Sequence, residues 1–65
     1  MEKYALSLTA QRNVREGTEL ENCAAYINAN SEAEAIGAGI ITAKKRWPQK
    51  DGWYNHNCVT CLIKD

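Results

Sequence analysis

No stretch of this chain holds the roughly 18 consecutive apolar residues that span a bilayer, and no apolar segment follows a basic start, so neither a membrane helix nor a cleaved signal peptide is expected. Surplus charge is missing too. Eight Lys and Arg balance eight Asp and Glu, for a formal net charge of zero. A protein relying on non-specific contact with nucleic acid normally carries a clear basic excess. Glycine and proline are scarce, at four and one, while 45% of residues are hydrophobic, a balance that argues against a disordered chain. There is no Asn-x-Ser/Thr sequon, and the three cysteines, Cys23, Cys58 and Cys61, are an odd number without a secretion signal. Reduced thiols in a cytoplasmic protein are the expectation. At 65 residues the chain makes one small domain, numbered 1–65, near the lower limit of unaided folding.

What is present is a sequence of clear local periods. Residues 3–11 alternate, with Tyr4, Leu6, Leu8 and Ala10 on one face and Ala5, Ser7 and Thr9 on the other, the pattern of a half-buried strand. Arg12 to Glu19 is mostly polar and reads as a hairpin loop. Alternation returns with Cys23, Ala25, Ile27 and Ala29. Ser31-Glu32-Ala33-Glu34 then fits a capping box, which predicts a helix from Glu32 to Trp47. Ala33, Ile36, Ile40, Ala43 and Trp47 would form its inward stripe, Lys44, Lys45 and Arg46 suit its C-terminal dipole, and Pro48 ends it. After a turn at Gln49–Gly52, aromatic and β-branched residues from Trp53 to Ile63 predict a third strand. Simple alternation there turns Val59, Cys61 and Ile63 inward and Tyr54, His56, Cys58, Thr60 and Leu62 outward.

The expected fold class is α+β: a single ββαβ domain with a three-stranded sheet in order 2-1-3 and one helix on one face. A single helix leaves the other face bare. That face, carrying Tyr26, Tyr54, His56, Cys58, Thr60 and Leu62, has the mixed aromatic and polar character of a protein interface. A second candidate contact is the small outward side of the helix at Ala38, Gly39 and Thr42. The basic residues Arg12, Arg15, Lys44, Lys45, Arg46 and Lys50 gather at one pole with the rings of Trp47, Trp53 and Tyr54, and these basic groups with Trp53 are a possible nucleic-acid contact. Glu2, Glu32, Glu34 and Asp65 gather at the other.

Catalytic and metal chemistry find no support. On an extended strand Cys58 and Cys61 point to opposite faces about 10 Å apart, so they neither converge on zinc nor form a disulfide. His56 and Cys58 have no orienting acid and no oxyanion-hole turn beside them. Gly37 and Gly39 lie inside the helix and match no phosphate loop. The expectation is a non-enzymatic protein without cofactor that binds another protein, a second copy included, and does not engage a membrane. Small inhibitors or regulators carried by phage or mobile elements are one class of this size. The alternative is a nucleic-acid-binding module using the basic pole.

Overall fold

A computed structural model describes residues 1–64 of the chain; Asp65 lies outside them. The element order is β1 (Glu2–Val14), β2 (Gly17–Ala29), α1 (Glu32–Arg46), a 3₁₀ turn (Gln49–Asp51) and β3 (Trp53–Leu62). The three strands form one sheet in order β2-β1-β3, with β1 antiparallel to both neighbours. The α+β class, the ββαβ order and the open sheet are as the sequence predicts.

The hairpin is longer than its polar composition suggests. Instead of a loop over Arg12–Glu19, β1 and β2 pair without interruption from Glu2↔Ala29 to Val14↔Gly17. Only Arg15 and Glu16 form the turn, and Gly17 follows at φ +140°, a backbone state open to glycine. The added rungs are stitched by one cross-strand ion pair. Arg12 Nε donates to Glu19 Oε1 at 3.0 Å, and the two side chains form an ion pair.

The helix begins where the capping signal puts it. Ser31 Oγ accepts from the Glu34 amide at 3.1 Å, and the Glu34 carboxylate reaches back to the amide of Asn30 at 3.4 Å. At its other end, the Trp47 amide still donates to the Ala43 carbonyl before Pro48 stops the ladder. Gly52, at φ +92°, closes the 3₁₀ turn and returns the chain to the sheet.

The core lies between α1 and one sheet face. Tyr4, Leu6, Leu8 and Ala10 of β1 supply its bulk, with Ala29, Trp47 and Trp53 around them. The helix contributes small residues, Ala35, Gly39 and Ala43, spaced four apart along one line. The expected stripe is thus turned by almost one residue: Ala33 is exposed, while Ile36 and Ile40 lie half-buried. The reason is steric. A Cβ built on Gly39 would sit 2.3 Å from Cys58 Sγ and 3.2 Å from Leu8 Cδ2. Tall side chains on β1 and β3 fill the layer, so the helix can approach only along its smallest line.

Along β3 the inward and outward sets are exchanged relative to simple alternation. Leu8 is opposite Cys58, Leu6 opposite Thr60 and Tyr4 opposite Leu62, which turns Cys58, Thr60 and Leu62 toward the helix. Val59 and Cys61 are exposed on the bare side. The cause is a β-bulge. Between Thr9 and Gln11 the pairing skips from Asn57 to Tyr54, giving β3 one extra residue. Asn55 occupies the bulge at φ +54°, a conformation asparagine tolerates better than most residues. Trp53 and Tyr54 keep the expected phase before the bulge, and every residue after it is flipped.

Candidate functional site: the uncovered sheet face

Register fixes the content of the face without a helix. Its central column is small: Ala5, Ser7 and Thr9 on β1, continuing to Gln11. On the β2 side stand Leu20, Asn22, Ala24 and Tyr26, and on the β3 side Tyr54, Asn57, Val59 and Cys61. Leu20, Tyr26 and Val59 are 71%, 68% and 69% exposed. Large side chains flanking a column of small ones make a shallow trough with apolar rims.

Among the strand residues on this face, only Lys3 is charged. It sits at one end with its ammonium 5.6 Å from the centre of the Tyr26 ring, within cation–π range. Arg12, Glu19 and Glu21 of the same hairpin belong to the helix side. The face therefore sheds little electrostatic hydration when covered, which lowers the cost of burying it.

The hairpin end of the trough is polar and already organised. Tyr54 Oη donates to Asn13 Oδ1 at 2.8 Å and accepts from Gln11 Nε2 at 3.1 Å. Asn55 Nδ2 donates to Gln11 Oε1 at 2.6 Å, and Asn57 Nδ2 donates to the Asn55 carbonyl at 3.3 Å. The bulge makes this chain of contacts possible, because it brings Asn55 over Gln11. Beside it lies a hollow of about 290 Å³ bordered by Leu20, Asn22, Asn55 and Asn57.

Of the residues expected on this face, Tyr26 and Tyr54 are there. His56, Cys58, Thr60 and Leu62 are not, because the bulge turns them to the helix side. His56, Cys58 and Thr60 each have a structural task instead, while Leu62 stays exposed at the end of β3. His56 Nε2 donates to the Trp47 carbonyl at 2.7 Å, holding the end of α1. Cys58 packs under Gly39, and burial pushes its thiol pKa up. Thr60 Oγ1 donates to Glu32 Oε1 at 3.3 Å, tying β3 to the start of α1. The small-residue contact on the helix loses Gly39, which is buried against the sheet, while Ala38 is half-buried and exposed Thr42 donates to the Ala38 carbonyl at 3.0 Å.

Leu20, Val59 and Asn55 were missed. Leu20 falls between the expected loop, which ends at Glu19, and the alternation that resumes at Cys23, and Val59 falls in the strand phase that the bulge reverses. Asparagines at 55 and 57, depleted in regular strands, are the sequence signal of that irregularity.

The basic residues do gather at one pole, although the rings between them are occupied. Trp47 and Trp53 are buried against each other, with centroids 6.1 Å apart. Arg12 lies 4.5 Å over the Trp53 ring and Arg46 lies 5.6 Å over Trp47. Trp53, expected as a nucleic-acid contact, is thus a core residue roofed by Arg12. Arg15, Lys44, Lys45 and Lys50 remain exposed.

Cys58 and Cys61 face opposite sides of the sheet, in the reverse sense to the simple alternation. Among the described residues no three His, Cys, Asp or Glu side chains converge as a metal site, and no helix is long and apolar enough to cross a membrane. No known protein family, no curated protein and no solved structure matches the chain.

Proposed function

We propose that this chain is a non-catalytic binding protein whose uncovered sheet face docks on a protein partner. The observation that carries the reading is the nearly charge-free trough rimmed by Leu20, Tyr26 and Val59, with an ordered amide cluster at one end. Apolar rims supply the buried area of an interface core. The Gln11–Asn55–Asn57 cluster supplies donors and acceptors whose geometry is set before binding, which reduces the ordering cost of association. A small protein that covers or bridges a larger one needs no more than this, and a cytoplasmic inhibitor or regulator, of the kind carried by phage or mobile elements, is the role it fits best.

The nucleic-acid reading fares worse on the same geometry. Trp47 and Trp53 are buried and cannot stack on bases, the Tyr54 hydroxyl is held by Asn13 and Gln11, and Arg12 is committed to Glu19 and Trp53. The remaining basic groups would give only a weak, salt-sensitive attraction.

Site-specific photo-crosslinking in the native cell tests the proposal. A benzophenone side chain replacing Val59 or Tyr54 is expected to capture one defined protein, while the same group replacing Ile41 on the exposed helix surface captures none. Equal capture from both faces, or crosslinking to nucleic acid from position 45 but to nothing from position 59, would overturn it.

A further inference from the structure

The two edges of the sheet are not alike. The β3 edge carries the bulge and the left-handed Asn55, devices that break the regular ladder a further strand would need. The β2 edge has neither. It runs 13 residues from Gly17 to Ala29 in unbroken register and contains no Lys, Arg or Pro, the residues that usually blunt such an edge.

Which of its peptide groups face outward follows from the ladder. The Ile63 amide donates to the Lys3 carbonyl at 2.9 Å, so the odd residues of β1 address β3 and the even ones address β2. Leu8 therefore exchanges bonds with Cys23 and Leu6 with Ala25. The even residues of β2 then direct their N–H and C=O away from the sheet: Thr18, Leu20, Asn22, Ala24, Tyr26 and Asn28.

We infer that this edge pairs antiparallel with the same edge of a second copy, joining two sheets into one of six strands. The midpoint of Gly17–Ala29 is Cys23, and a two-fold axis there is the register in which the whole edge overlaps. In that register Leu20 is opposite the partner copy's Tyr26, and Asn22 opposite its Ala24. Two exposed apolar side chains thus meet twice across the seam. Glu19 is set opposite Ile27 and Glu21 opposite Ala25, so no acid faces an acid. All six outward residues find partners, giving roughly twelve backbone hydrogen bonds. The helix is no obstacle, because it packs mainly on β1 and β3. The inference does not rest on the sheet-face reading, since the edge uses peptide groups that the face does not.

The register makes a sharp demand on Cys23. It becomes a non-hydrogen-bonded pair with its own copy, where Cα atoms approach about 4.5 Å, within disulfide range. Sedimentation equilibrium of the full chain is expected to show a concentration-dependent mass approaching twice 7.3 kDa. Mild oxidation of the dimer should give a covalent species that survives in the Cys58→Ser/Cys61→Ser variant and is lost in Cys23→Ser. Ala24→Pro, which deletes an outward N–H, should weaken the dimer at least tenfold. Leu20→Lys/Tyr26→Lys should do the same by opposing like charges across the seam; as both side chains are already in solvent, folding is not at stake. A monomer at every concentration overturns the inference. So does a dimer indifferent to both edge variants, or one crosslinked through Cys61 rather than Cys23. Each of these three outcomes leaves the Val59 crosslinking result, on the opposite flank of β1, to be judged separately.

Discussion

Gly37 and Gly39, two residues apart in α1, should respond oppositely to the same substitution. Nothing lies within 4 Å of a Cβ placed on Gly37, so Gly37→Ala gains helix propensity and is expected to stabilise by about 1 kcal/mol. At Gly39 the added methyl meets Cys58 Sγ and Leu8, and Gly39→Ala should cost about 1–3 kcal/mol through overpacking. Urea denaturation of the two variants checks the contrast. Combining Gly39→Ala with Cys58→Ala should recover most of the loss, because the clash is with that sulfur. An alanine at 39 as harmless as at 37 would mean that the helix does not approach the sheet along this line.

At the scale of elements, one irregular point in β3 decides what each face presents. Asn55 holds the bulge in a left-handed state while its amide bonds Gln11. A β-branched residue there loses that bond and is strained, so Asn55→Val should cost roughly 1–3 kcal/mol. The loss would show as a lowered midpoint in thermal unfolding, with Asn55→Gly much milder. Helix, strand order and the Ser31 cap were legible because each rests on local chemistry: hydroxyl before helix, proline after it, period two or period near 3.6. The hairpin length was not, since polar residues such as Arg12 and Glu19 hide a ladder that their ion pair helps to hold. The content of β3's two faces was not legible either. A single inserted residue reverses them, and whether Asn55 is inserted depends on its pairing with β1 rather than on its neighbours in sequence.

For the whole molecule, pH links the packing of one thiol to global stability. Burial raises the Cys58 pKa above that of the unfolded chain, so on raising the pH the unfolded state gives up its proton first. The stability this group contributes is therefore full below the ordinary thiol range and is lost as pH rises through the pKa of the folded thiol. Denaturant midpoints measured from pH 7 upward should fall, and Cys58→Ala should flatten that part of the profile. The same arrangement orders reactivity. Exposed Cys61 should be alkylated well before Cys58, whose thiol lies beneath α1 and resists ionisation.

The unlike edges have a consequence for how assembly stops. A sheet with two open borders can recruit copies without end and grow into a fibre. Here the bulge at Asn55 leaves only the β2 border receptive, and a two-fold pairing consumes that border on both copies at once. The product then ends on both sides in bulged strands whose regular stretch is cut to the residues from Asn57 to Leu62. Straightening β3 by deleting Asn55 would remove that stop and convert a closed pair into a polymerising one.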